Sequence, residues 1–207
     1  MSVRTVIDKF RAKYLSKKCK CKYEIVGSNK SGGGDDSNLD LIDFLDNNAN
    51  HYRQFADYLD GCFAIENLKF LQAIIVYRSL LSSSMEGGRH SDCALTNPFL
   101  RRLFRTDLKY LKALNVEYST AINNRRTHEL LARIYEQYIS TSSADCINIS
   151  WSAREQLVDF FTLRAEREGE TSVEEMSALY LDLFNEAVLE IYTLLDIRYT
   201  TEFAKKN

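Results

Sequence analysis

The stretch FAIENLKFL, residues 63–71, decides the fold of this chain. It follows the turn-like sequence YLDGC, and its first helical turn carries one carboxylate and one amide, Glu66 and Asn67. From Ala64 to about Leu81, apolar residues lie on nearly every face of the predicted helix. Because a helix that is apolar all round must be covered by its neighbours, we predict that it is the central helix of the molecule.

The rest of the chain repeats apolar residues at helical spacing, and no strand pattern appears. One proline and eight glycines in 207 residues also favour helices. The sequence therefore predicts an all-α fold. The predicted helices cover residues 39–45, 55–63, 64–81, 98–114, 127–140, 154–168 and 173–197, with a short final helix that ends near Phe203.

The last long helix is predicted from an apolar stripe that runs along residues 173–197 and faces an acidic side. Its members recur at a period of 3.6 residues. They are Val173, Met176, Tyr180, Leu183, Ala187, Ile191 and Leu194.

Two segments are basic. Residues 1–38 are predicted to form a basic N-terminal helix (about 2–18) or tail and a linker rich in glycine and serine, ahead of a folded domain at 39–207. The tail holds Cys19 and Cys21 among lysines. These cysteines could be acylated beside an anionic membrane surface, or the tail could be solvated only. The helix predicted over 98–114 has a basic face that could contact a membrane or a partner, while its apolar stripe favours packing onto the bundle.

The composition of the chain argues against several classes of function. A net charge of −2 gives no reason to expect nucleic acid as a partner. Five cysteines without framework spacing, and the lack of a signal peptide or transmembrane run, predict a cytoplasmic protein. Three histidines, with no ligand cluster and no glycine-rich phosphate loop, predict that the chain has no active site, metal or cofactor of its own.

Three segments, in order, resemble the regulator of G-protein signalling (RGS) domain family. FADYLDGCFAIENLKFL (55–71) is similar to the family's F..FL...F-S-E-E-N-L-x-F-W. ARIYEQYISTSSADCINIS (132–150) is similar to A-x-x-I-Y-x-x-F-I...V-N-L-D. LFNEAVLEIYTLLDIRYTTEF (183–203) is similar to x-F-D-x-A-Q-x-x-I-Y-x-L-M-E-x-D-S-Y-x-R-F. The resemblance implies a bundle of about nine helices, in which residues 84–125, with the basic helix, are an insertion.

The resemblance also implies a function: GTPase activation of the α subunits (Gα) of heterotrimeric G proteins. Such a domain supplies no catalytic acid, base or arginine finger, so it regulates an enzyme without being one. It grips the switch segments of Gα in their transition-state arrangement, which is differential binding of the transition state. The implied partner is therefore Gα in its GTP-bound or transition-state form.

Four positions carry the family's Gα contacts over to this chain: Glu66, Asn67, Asn148 and Leu194. Each asparagine or glutamate also has a plainer interpretation. Glu66 complements the dipole of its helix, and Asn67 could satisfy a backbone group of the first turn. Asn148 could be an ordinary loop residue or a glycosylation sequon with Ser150.

The chain departs from the family at positions close to these contacts. Ala64 replaces the helix-capping serine, and Cys62 replaces a glutamate that contacts Gα. Trp151, close to Asn148, is either a partner contact or a core residue at a helix start.

The third segment departs in its charges. Without gaps, Arg198 stands where the family has aspartate and Glu202 where it has arginine, and the two could pair across one helical turn. A gap that aligns Tyr199 with the family tyrosine is an alternative. Two other functions therefore stay open: an RGS-fold scaffold without GTPase activation, and a membrane-peripheral adaptor that works through the basic segments.

Overall fold

The computed structural model describes residues 41–84, 100, 127–165 and 182–205. Within these ranges the regular structure is helical and contains no strand, which agrees with the all-α prediction. The helices are α1 (Leu41–Asn47), α2 (Ala49–Gly61), α3 (Ile65–Ser84), α4 (Thr127–Ile134), α5 (Trp151–Ala165) and α6 (Asn185–Arg198). Two π-helical turns, Tyr135–Ile139 and Tyr199–Phe203, extend α4 and α6.

Several predictions fall outside the described residues. These are the tail and linker at 1–38 and nearly all of the basic helix at 98–114. Leu100 of that helix is described, and it is helical and fully buried, as packing onto the bundle requires. The count of about nine helices stays a prediction, as does the division into a tail and a domain.

Helix α3 is the central helix, as FAIENLKFL predicts. From Phe70 to Arg78 every residue is buried, so all faces of this part are covered. The helix packs against α2, α4 and α6. The helices that precede and follow α3 in the chain therefore pack around it in one hydrophobic core.

An aromatic cluster joins the two ends of the described chain. Phe55 of α2 meets Phe203 edge to face, with ring centroids 5.2 Å apart, and Tyr199 at 5.9 Å. Phe44 of α1 packs on the same two rings. Edge-to-face pairs of this kind stabilise a core beyond the area that they bury. The cluster fixes the π-helical turn after α6 against α1 and α2.

A buried polar link fixes the start of α6 on α3. Arg78 donates from Nη2 to Oδ1 of Asn185 at 2.5 Å, and Asn185 donates from Nδ2 to Oδ1 of Asp182 at 2.9 Å. Burial lowers the pKa of Arg78 to about 9, against the opposing effect of the negative charge on Asp182. The guanidinium therefore stays charged at neutral pH, where its hydrogen bonds hold the two helices together.

The helix predicted over 173–197 is wrong as a continuous element in its described part. Leu183 and Phe184 form a turn, and α6 begins at Asn185 and continues to Arg198. Both turn residues are fully buried. The turn places Asn185 at the start of α6, where its side chain bonds Arg78 of α3 and Asp182. Residues 173–181 lie outside the described ranges.

Candidate functional site

The turn between α2 and α3 closes with a Schellman motif. The amide of Ala64 donates to the carbonyl of Leu59 at 2.9 Å, and the amide of Phe63 donates to that of Asp60 at 3.1 Å. This motif needs a left-handed residue, and Phe63 supplies it with a φ of 53°. A side chain in that conformation costs about 1 kcal/mol relative to glycine. The ring of Phe63 is nevertheless 93% exposed, so no packing within the described residues repays the strain.

Asn67 lies buried in the first turn of α3. Its Nδ2 donates to the carbonyl of Ala64 at 3.3 Å and to Oε1 of Glu66 at 3.0 Å. The bond to a backbone carbonyl agrees with the plainer interpretation of this residue. Oδ1 is buried and accepts no hydrogen bond in the described structure. Exchanging the two amide atoms would place an oxygen against two acceptors, so the unmet acceptor belongs to Oδ1.

Asn148 is presented differently. It is exposed, while its neighbours Ile147 and Ile149 are both buried. The amide of Ile147 donates to the carbonyl of Tyr138 in the π-helical turn at 2.9 Å. The two isoleucines therefore anchor the loop in the core and leave the amide side chain of Asn148 directed away from it.

Arg154 of α5 fixes this loop from within. Its Nη2 donates to the carbonyl of Ile147 at 2.6 Å, and its Nη1 donates to the carbonyl of Ile139. Nη1 also contacts the sulfur of Cys146 at 3.4 Å. Charged donors make stronger hydrogen bonds than neutral ones, so Arg154 joins both ends of the loop to α5.

Glu190 of α6 reaches the same loop from outside. Its two carboxylate oxygens accept from the amide and the hydroxyl of Ser150, both at 2.6 Å. Leu194 follows one helical turn later and is 40% exposed. Leu194 was predicted within the apolar stripe of this helix, but the buried residue is Leu195. The contact predicted to reach Gα thus lies on the solvent side of the helix that holds the Asn148 loop.

The third group of predicted residues gathers around Tyr58. Its hydroxyl donates to Oε2 of Glu202, which lies in the π-helical turn after α6. The bond to Glu202 raises the pKa of Tyr58 most, burial raises it further, and Cys62 adds to the effect. In the described structure Glu202 therefore bonds Tyr58, and not Arg198 as predicted. Arg198 is half-buried at the end of α6.

Exposed apolar side chains accompany these groups, and sequence reasoning missed two of them. Trp151 is 77% exposed at the first position of α5, so its interpretation as a core residue is wrong. Phe63 and Ile197, at 93% and 51% exposed, were not predicted. A large apolar residue in the turn after an Asp-Gly pair was the available signal for Phe63. Ile197 falls off the apolar stripe of its helix, which was the signal there.

Sequence reasoning also missed Arg154 and Glu190. Each acts on the loop through contacts 7 to 40 residues away in the chain, which no local pattern reveals. In the described ranges, no three side chains of the metal-binding types come together, and no helix is long and apolar enough to cross a membrane.

A model of the family described as "Regulator of G protein signaling domain" matches residues 40–207, which is most of the chain. No curated protein and no solved structure matches the chain.

Proposed function

The chain belongs to the regulator of G-protein signalling domain family, and we propose that it accelerates GTP hydrolysis by Gα subunits of heterotrimeric G proteins. It acts as a regulator of that enzyme. The reacting groups belong to Gα, whose own arginine and glutamine stabilise the transition state and orient the attacking water. The role of this chain is to bind the Gα switch segments more tightly in their transition-state arrangement than in the ground state.

The observation that carries the proposal is the presentation of Asn148. An exposed amide stands between two buried isoleucines, on a loop held by Arg154 and Glu190. An amide can donate and accept hydrogen bonds at once without bringing a charge near the phosphate. A rigid support matters because a group that orients a water loses its effect when its position varies by about 1 Å.

The exposed apolar residues supply the binding area. Phe63 and Trp151 each present an aromatic ring to solvent, and Leu194 and Ile197 do so with aliphatic side chains. Aromatic residues that are exposed in the free protein and buried in a complex contribute much of the binding free energy. Asn67 supports this surface from within, because its Nδ2 donates to Oε1 of Glu66 at 3.0 Å.

The direct test is single-turnover hydrolysis of GTP by Gα subunits from the same source, with and without the protein. We expect acceleration by the wild type. Glu66→Lys should weaken it by reversing a charge in the predicted contact surface. If no Gα subunit hydrolyses GTP faster with the wild type, the proposed activity is wrong.

Nucleotide-state dependence provides the second test. The proposed mechanism requires tighter binding to Gα carrying GDP and aluminium fluoride, which imitates the transition state, than to Gα carrying GDP alone. Isothermal titration of both states measures the difference. Equal affinity for both states would remove the transition-state mechanism while leaving a binding function.

A second candidate is an RGS-fold scaffold that binds Gα or another protein without accelerating hydrolysis. Arg198 and Glu202 favour it, because they exchange the charges that the family motif has at these positions. Glu202 is moreover engaged by Tyr58. The variant Arg198→Asp separates the two candidates. If the wild type is a scaffold, the variant gains acceleration, whereas a wild type that activates its own partner loses acceleration in the variant.

A further inference from the structure

Glu190 makes a two-pronged contact with the residue that starts α5. Oε2 accepts from the backbone amide of Ser150 and Oε1 accepts from its hydroxyl, each at 2.6 Å. Hydrogen bonds to a carboxylate are roughly twice as strong as neutral ones, and two from one residue also fix orientation. Glu190 and Ser150 are 40 residues apart in the chain. The contact therefore holds two helices in a defined relation.

Ser150 passes the contact on to α5. Its hydroxyl oxygen accepts from the amide of Ala153 at 3.2 Å, so Ser150 is the side-chain cap of this helix. The cap and the carboxylate together place a negative charge at the positive end of the helix dipole. Glu190 is thus part of the cap of a helix to which it does not belong.

The position of Ser150 is what connects this cap to the proposed activity. Asn148 lies two residues before it, and Ile149 between them is buried. On the other side of Asn148, Arg154 bonds the carbonyl of Ile147 at 2.6 Å. Asn148 is therefore held on one side by a cation of α5 and on the other by an anion of α6.

We propose that Glu190 is a positioning residue for GTPase activation, a role that rests on the function proposed above. It locks the Asn148 loop to α6, so that Asn148 and Leu194 meet the Gα switch segments as one rigid unit. Glu190 itself touches neither the nucleotide nor the reacting water. Its loss should lower the hydrolysis rate at saturating protein more than it raises the half-saturating concentration.

A charge-relocation experiment tests this role. Ser150→Asp alone places a second carboxylate against Glu190, and we expect the saturating rate to fall about tenfold as the loop is displaced. Combining Ser150→Asp with Glu190→Gln restores one carboxylate and one donor. Asp is a good helix cap, and the glutamine amide can donate to it. The double variant should recover to within about twofold of the wild type.

The matched control is Glu155→Gln, which removes an exposed carboxylate from α5 itself and should leave the saturating rate unchanged. A double variant no faster than Ser150→Asp would overturn the proposal. So would a Glu190→Ala variant whose saturating rate equals that of the wild type. A Glu190→Ala variant that changes only the half-saturating concentration would assign Glu190 to binding and overturn its positioning role.

Amide hydrogen exchange distinguishes failure of this proposal from failure of the proposed function. The amide of Ser150 should exchange at least about tenfold faster in Glu190→Ala than in the wild type, because it loses its acceptor. If exchange responds in this way but no Gα subunit is activated by the wild type, the contact between Glu190 and Ser150 is confirmed and the proposed GTPase activation is wrong. If the wild type activates Gα and exchange at Ser150 does not respond, the positioning role alone is wrong.

Discussion

The family motifs assign to Gα one asparagine just after the α2–α3 turn, Asn67, and one in the loop at 140–150, Asn148, and these two segments are stabilised by different means. The turn is built from bonds between near neighbours, with the amide of Ala64 donating to the carbonyl of Leu59. The loop has local bonds of its own, such as that from Ser143 Oγ to the carbonyl of Gln137, and side chains of two helices hold it as well, Arg154 of α5 and Glu190 of α6. Hydrogen bonds between residues close in the chain can be recognised from a local sequence motif, whereas hydrogen bonds between distant residues cannot.

The difference extends to the asparagines themselves. Asn67 is 8% exposed and donates to the carbonyl of Ala64 just before α3, so it contributes to the structure as well as to the proposed site. Asn148 is exposed, and its side chain supports nothing else in the described fold. Because the side chain of Asn148 does not contribute to stability in this way, its substitution should affect the activity alone.

The largest expected effect follows from this contrast. Asn148→Ala should lower the acceleration of GTP hydrolysis about 100-fold, because an orienting amide is lost, and should change the free energy of unfolding by less than about 0.5 kcal/mol. Asn67→Ala should lower both the acceleration and the free energy of unfolding, the latter by about 1 kcal/mol. Single-turnover hydrolysis and urea denaturation measure the two quantities. An Asn148→Ala variant as destabilised as Asn67→Ala would remove the contrast.

The next effect tests the anchoring of the loop. Arg154→Met should lower the free energy of unfolding by about 2 kcal/mol, because the carbonyls of Ile139 and Ile147 lose a charged donor. Acceleration of hydrolysis should fall as well. Arg133→Met is the control, since Arg133 is exposed on α4 and its loss should cost less than about 0.5 kcal/mol. Equal unfolding free energies for the two variants would show that the loop holds without Arg154.

A smaller effect of opposite sign is expected in the turn. Phe63→Gly should raise the free energy of unfolding by up to about 1 kcal/mol, because glycine adopts the φ of 53° without strain. Phe63→Ala is the matched control, since it removes the ring but keeps the strained Cβ. Both variants should bind Gα several-fold more weakly, as titration would measure. Loss of stability in Phe63→Gly would mean that the exposed ring contributes to the fold.

The smallest effects compare the two helix caps. Ala64 stands before α3 and has no side-chain acceptor, whereas Ser150 before α5 caps the amide of Ala153. Ala64→Ser should therefore raise the free energy of unfolding by about 0.5 kcal/mol, and Ser150→Ala should lower it by about 1 kcal/mol. Thermal denaturation measures both. A fall in stability for Ala64→Ser would show that this buried position has no room for the hydroxyl.

How far sequence prediction reached depends on the range of the interaction in each case. The motif FAIENLKFL predicted a buried central helix, and α3 is one, because its apolar residues need cover on every side. The helix over 173–197 was predicted as continuous, and its described part is broken at Leu183 and Phe184. Periodicity alone did not reveal that both residues are buried together, or that Asn185 bonds Arg78 from another helix.

The sequence by itself determined the helical class, the central helix and the family, since local spacing and motif order carry that information. Only the tertiary structure decided how the candidate site is held. In that structure Phe63, Trp151 and Ile197 are exposed, and Glu202 accepts a hydrogen bond from Tyr58. The tertiary structure also set the carboxylate of Glu190 on Ser150, 40 residues away. Such contacts depend on which helix faces come together, and that follows from the packing of the whole bundle.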